Sequence, residues 1–315
     1  MIAKHLRSYS QIVVPMTVRY RHFFAFSILL LISLVSLSCN SPFQPEVQFT
    51  PKLNVYSVLF SNSQTVSVRV TSVAESGSAG MSQPVHGAIV TVSGGGQTVS
   101  LADTTTIVDG DTSSFYFAPM LVVPGGTYTV SVSHSGYPSA VATVTVPSGY
   151  AAVPDQNNYS ILMNPKNVKT DIGLTVNLSG TASAAFVQML VECRGVDDSG
   201  KFHVASFNVI PVDSLNPFSE VTASVLPVDV DINRYKNAYN LAQQYADSLK
   251  LYHLYVEIIV TQVDDNLYRY FITSTRTLSP LLMRTDKIIF TNIFNNAGTG
   301  IVAGVSVDTT RVFLY

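Results

Sequence analysis

LNVYSVLF, Leu53 to Phe60, and TVSVRVTSV, Thr65 to Val73, alternate apolar and polar residues with period two, and only SNSQ separates them. Successive side chains of an extended chain point to opposite faces, so this pattern makes strands with one face in a core and the other toward water. Small polar residues between two such runs signal a turn, and the pair reads as a hairpin. The rhythm continues to Pro147. GAIVTVSG and GGQTVSLAD bend at Gly94 to Gly96, and SSFYFAP, the turn VPGG, TYTVSVSH, SGYPS and AVATVTVP follow. Short strands with turn signals every eight to twelve residues or so predict an antiparallel β-sandwich, Ig-like or transthyretin-like, over residues 52–148.

SGYAAVPDQNN, from 148 to 158, breaks the alternation, and residues 149–158 are read as a linker. Beyond it, residues 159–315 form a second β-rich domain with one or two helices. IGLTVNLSG, AAFVQMLVECRGV and KFHVASFNVI are strands in this reading. Between Asp231 and Tyr252, apolar positions at Tyr235, Ala238, Ala242, Tyr245, Ala246 and Leu249 trace a helical stripe, with Asp231 as its N-cap. Tyrosines at 235, 239, 245 and 252 put aromatic rings on more than one face of this helix, and Tyr239 is a candidate partner contact. LYVEIIVTQV is apolar on both faces and suits a central strand. In DDNLYRYFITST, Leu267, Tyr268 and Phe271 fit a helical face that Asp265 would cap. KIIFTNIF, a Gly-rich turn and strands then lead to Tyr315. The whole reads as mainly β.

The N-terminus predicts an address. Residues 23–37, FFAFSILLLISLVSL, are apolar apart from serines and follow Arg19 and Arg21. A bilayer-spanning helix needs about twenty such residues, so the run fits the core of a signal peptide, residues 1–38. Met16 is an alternative start. Ser36, Leu37, Ser38 and Cys39 resemble a bacterial lipobox, in which the cysteine becomes the lipid-carrying N-terminus. The other reading is an ordinary signal peptide cut near Ser38. Residues 39–51 are aperiodic and read as a lipidated tether. The expected location is the cell envelope, lipid-anchored at the outer membrane, on its periplasmic face or at the cell surface.

Lys4, Arg7, Arg19 and Arg21 lie in the removed segment, which has no acid, so the 18 basic residues fall to 14 against 20 acidic. No basic patch is visible, which argues against nucleic acid as a partner. With Cys39 lipidated, Cys193 has no disulfide partner, and its place in VQMLVECRGV suits a small buried apolar side chain.

No catalytic, cofactor or metal residues are assigned. Gly298-Thr-Gly300-Ile-Val-Ala-Gly304 looks like a dinucleotide fingerprint, but too little chain follows for the helix, strand and acid this chemistry needs, so a hairpin or bulge is expected. Asp229-Val-Asp231-Ile-Asn233 and Asp109-Gly-Asp111 begin like calcium loops and then lack the further oxygen ligands, and a helix cap and a turn account for them. His86, His134, His203 and His253 stand at no metal-ligand spacing, and no GxSxG elbow occurs. Asp103, Asp213, Asp247 and Asp308, each followed by Ser or Thr, resemble short O-glycosylation sites of exported bacterial proteins.

PVHGAIVTVSG, FYFAP, VPGGTYTVSV and IIFTNIFNNAGTGIVAGVSV together resemble a Bacteroidota lipoprotein family catalogued as a domain of unknown function. Its members carry a lipobox, an N-terminal Ig-like or carboxypeptidase-regulatory-like sandwich, a tyrosine-rich segment like LYRYF and a late phrase of the type N-I-x-x-G-x-G-x-F-G-A. Asn292, Ile293, Gly298, Gly300, Ala303 and Gly304 match the phrase with two residues inserted and its aromatic replaced by Ile301 or Val302. The resemblance implies an envelope lipoprotein near outer-membrane nutrient-uptake systems and assigns no chemistry. The expected function is non-enzymatic: an anchored accessory or binding component that meets an outer-membrane transporter, a glycan or a peptide. The alternative is a secreted hydrolase carrying the sandwich as an appendage.

Overall fold

The computed structural model describes residues 50–73, 82–108, 111–149, 152–154, 162–167, 170–210, 219–221, 224–275, 290–294 and 297–314. Residues 50–315 form a compact unit. Its fold is mainly β, as expected. Seven strands come first: β1 (Leu53–Phe60), β2 (Thr65–Ser72), β3 (Ile89–Gly94), β4 (Gln97–Val108), β5 (Asp111–Pro119), β6 (Thr127–Ser133) and β7 (Ala140–Thr145). Then come β8 (Ala152–Pro154), β9 (Ile172–Asn177), β10 (Ala184–Val196), β11 (Phe202–Asn208), β12 (Ser219–Glu220), β13 (Val225–Val230), helix α1 (Ile232–Ala246), β14 (Leu251–Val263), helix α2 (Asp265–Thr275) and β15 (Gly298–Phe313).

The alternation seen in the sequence sets the first core. Leu53, Val55 and Leu59 of β1, Val66, Val68 and Val70 of β2, and Tyr116 and Ala118 of β5 face Val90, Val92, Tyr128, Val130, Val132, Ala140, Ala142 and Val144 of β3, β6 and β7. Burying each large apolar side chain contributes about 1.5–3 kcal/mol. The two deepest tyrosines also satisfy loop backbone: the Tyr116 hydroxyl donates to the Val85 carbonyl at 2.8 Å, and the Tyr128 hydroxyl accepts from the Val123 N–H at 2.6 Å.

Hydrogen bonding runs in the order β11-β10-β14-β15-β1-β2-β5-β4-β3-β6-β7. All of these neighbours are antiparallel except β1 and β15, which pair in parallel from Leu53↔Gly298 to Phe60↔Val305. The last strand thereby joins residues 52–148 to residues 159–315 in one sheet, and its Val302 lies in the sandwich core. Above Val305 the other edge of β15 is taken by β14. At Val302 a side chain does that work: Asn292 donates to the Val302 carbonyl at 2.7 Å and accepts from its N–H at 3.0 Å.

The second core lies under α1. Ile232, Tyr235, Ala238, Tyr239, Ala242 and Ala246 pack on Met189, Val191, Cys193, Leu254, Val256 and Ile258. Asp231 is the N-cap, accepting from Asn233 N–H at 2.7 Å and from Arg234 N–H. Burial pushes the Cys193 thiol pKa up, with the Glu192 charge adding to it, so the side chain behaves as the apolar filler expected.

Three expectations are corrected. Tyr239 is 2% exposed and presents no surface to a partner, because α1 turns that face onto the sheet. Asp264 rather than Asp265 caps α2, accepting from the Leu267 N–H at 3.0 Å. The GxGxxxG stretch is a continuous strand, paired residue for residue with β1, instead of the hairpin or bulge expected. Gly300 sits in it at φ 103°, where a Cβ would collide with the Val55 backbone.

Gly300→Ala is expected to destabilise the protein by about 3 kcal/mol or more, because it combines a strained backbone with that collision. Gly180→Ala, which meets open space, should stay within about 0.5 kcal/mol in the same urea titration. Burial lifts the Asp264 carboxyl to about 6 against the pull of backbone N–H donors. A carboxyl whose folded pKa is raised stabilises most below its unfolded pKa and loses that contribution as pH rises to its folded pKa. Wild type should therefore lose thermal stability between about pH 4 and about pH 6. Asp264→Asn, which keeps a capping oxygen, should remove that fall and raise the Tm at pH 7.

Candidate functional site

One face of the β11-β10-β14-β15 region carries α1. The opposite face is defined by register. Val196 pairs with Phe202 and Leu251; Arg194 with Val204 and His253; Glu192 with Ser206 and Tyr255; Tyr255 with Phe313; Glu257 with Arg311. Side chains alternate across a strand, so all of these point the same way, away from the helix. On this face an open cleft of about 490 Å³ is lined by Arg194, Gly195, Val196, Phe202, Leu251, His253, Tyr255, Arg311 and Phe313.

Tyr255 is its centre. Arg194 and Arg311 stand at opposite corners of the grid around it, and their guanidinium carbons lie 5.2 Å and 5.5 Å from its ring centroid. A cation over an aromatic face is drawn to the ring's negative quadrupole. Each arginine also has a carboxylate. Glu192 accepts from Arg194 Nε and, at 2.6 Å, from the Tyr255 hydroxyl. Glu257 accepts from Arg311 Nε at 2.9 Å and from its Nη2 at 2.8 Å. The carboxylates are nearly buried, whereas Arg194 and Arg311 are 38% and 46% exposed. The cluster thus has an acidic floor and a cationic surface.

Titration follows from that layering. Burial opposes ionisation of Glu192, yet donation from Arg194 and Tyr255 outweighs it and lowers its pKa below the ordinary value. Burial, and then the hydrogen bond to Glu192, push Tyr255 up to about 12, so it remains a neutral donor. The rim is apolar. Phe202, Leu251 and Phe313 are 62%, 67% and 66% exposed, and Phe313 leans on Tyr255 with ring centroids 6.0 Å apart. The cleft can take a ligand that combines an anionic group with an apolar one.

Of the described residues singled out by motif, only His253 reaches the cleft. Cys39 and Asp109 are outside the described residues, as is Asp213. His86 pairs with Asp103 on the sandwich surface, and His203 with Asp197, whose carboxyl is held well below the usual range first by the Ser199 hydroxyl and then by His203. The His134 ring meets that of Tyr137 at a tilt of 58°, with centroids 5.5 Å apart. Of His86, His134, His203 and His253, the last alone lines the cleft. Spacing arguments missed the cluster because its members come from strands far apart in sequence. A usable signal was present: VECRGV and VEIIV set charged residues inside strands otherwise fit for burial, and a buried charge needs a partner.

A family model described as Domain of unknown function (DUF4249) matches residues 40–311. No curated protein matches the sequence. Among solved structures, the C-terminal globular domain of an oligosaccharyltransferase from Pyrococcus abyssi aligns at 9% identity and a TM-score of 0.23. That alignment covers 68% of this chain and 47% of that chain, so less than half of the latter is spanned, and the likeness carries no argument.

Tyr255→Phe keeps the ring between the two arginines and removes the hydroxyl. A hydrogen bond to a charged group contributes about 1.5–3 kcal/mol, and a loss of that order is expected at pH 7 by denaturant titration. A carboxylate whose folded pKa is depressed stabilises above its unfolded pKa and loses that contribution as pH falls through the folded value. The gap between wild type and Tyr255→Phe should therefore narrow below about pH 4, as Glu192 protonates.

Proposed function

The chain belongs to this family of unknown function, and we propose that it is a non-enzymatic, envelope-anchored lipoprotein that serves as a binding or accessory component of an outer-membrane uptake or surface system. The observation that carries the reading is where the cleft lies. Leu53, at the start of β1, is level with Gly298, whereas the cleft lies near Arg311 and Phe313 on the same strand β15. At roughly 3.3 Å per residue the cleft stands about 45 Å along that strand from the point where the chain enters the fold. A contact at the cleft would therefore leave the residues that lead into β1 clear.

The composition of the site supports binding over packing. Large apolar side chains exposed together on a sheet face mark contact surfaces, and arginine and tyrosine are the side chains most often found at the energetic centres of interfaces. The lipid would also raise the local concentration of the cleft around any envelope partner.

Fractionation and a pull-down from gently solubilised envelopes test the proposal together. Wild type should require detergent for extraction and bring down an outer-membrane protein. Cys39→Ala should partition to the soluble fraction, and Phe313→Ser should stay anchored but lose the partner. Membrane retention of Cys39→Ala would refute the anchor. Undiminished recovery with Phe313→Ser would refute the cleft as the contact surface.

A further inference from the structure

We propose that the cleft binds the carboxylate end of a peptide whose last side chain is apolar. This rests on the anchored-binding reading and supplies its ligand class.

The first support is the direction of the charge. Glu192 and Glu257 lie beneath, with side chains 5% and 10% exposed, while both guanidiniums reach the surface. The cluster balances its charge overall, yet the layer that meets a ligand is positive. Arg194 gives its Nε to Glu192, and Arg311 gives Nε and Nη2 to Glu257; among the described residues neither guanidinium has another hydrogen-bonding partner. The remaining terminal N–H donors are those that suit a planar carboxylate.

The second support is preorganisation. The carboxylates below and the Tyr255 ring between hold two long side chains that would otherwise have to be ordered on binding. The third is the wall. Val196, Phe202, Leu251 and Phe313 offer no side-chain polar atom, and three of them stand more than half exposed. A sugar ring carries hydroxyls on every edge, each of which loses water on entering such walls. An apolar side chain next to a terminal carboxylate satisfies wall and arginines together.

The test uses the full chain in mild detergent and a fluorescein-labelled pentapeptide ending in phenylalanine, with its terminus either free or amidated. The free acid should bind, and the amide should bind at least about tenfold more weakly, since it loses the charge-assisted hydrogen bonds. Phe202→Ser and Phe313→Ser alter exposed side chains outside the buried ion pairs, so they should fold normally and weaken binding of the acid about tenfold. Arg311→Lys keeps a cation over Glu257 but loses the planar fork, and it should weaken binding of the acid more than that of the amide. Equal binding of acid and amide overturns the inference, as does binding unchanged in both phenylalanine variants. Capture of an acidic oligosaccharide, lost in Phe313→Ser, without peptide binding overturns the peptide while the anchored-binding reading stands. If neither ligand binds and the envelope pull-down is also empty, both fail.

Discussion

The parallel pairing of β1 with β15 is the constraint on which the other elements depend. Eight consecutive residues of β1 lie beside eight of β15, from Leu53↔Gly298 to Phe60↔Val305, in a sheet whose other neighbouring strands run antiparallel. A parallel partner cannot arrive through a tight turn and needs a long crossover. Here most of the second β-rich region intervenes. The contact requires Gly300 in a left-handed conformation against the Val55 backbone, and it requires the Asn292 amide to occupy the edge that β14 has not yet reached. It inserts Val302 into the sandwich core, and it carries β15 on to the face where Arg311 and Phe313 meet Tyr255.

The two faces of the β10-β14-β15 region solve opposite problems. On one, α1 covers Met189, Cys193, Leu254 and Val256, and burial of apolar area provides the stabilisation. On the other, no helix covers Glu192 and Glu257 among the described residues, and arginines do that work. A buried ion pair is a weak source of net stability, because desolvating the charges costs nearly what their attraction returns. Its value here is geometric: the carboxylates set where two long, otherwise free arginine side chains stand, and Tyr255 holds them apart.

Much of this fold was legible in the sequence, because alternation and helical spacing are local. The strands from Leu53 to Pro147, the helix over Ile232–Ala246, its Asp231 cap and the two-faced burial of the strand from Leu254 follow from patterns within a few residues. What was not legible depended on register. Glu257 and Arg311 are cross-strand partners 54 positions apart, and no spacing rule joins them. Tyr239 reads as available on a helical wheel, but which flank of α1 faces the sheet is decided by the strands it meets. Asp264 and Asp265 are indistinguishable as caps until the helix has a start, and the glycines near Gly300 look like a turn until β1 is placed against them.

The position of β15 also orders events in time. A ribosome makes β1 well before its parallel neighbour, so the sandwich waits with an open edge until the sixteen-residue strand β15 is complete. A chain cut short anywhere upstream leaves that edge bare and removes Val302 from the core. Proteases act on what stays open. Only a chain that has reached β15 can shut this sheet, so the fold distinguishes copies that carry the strand from copies that lack it without any separate device for doing so.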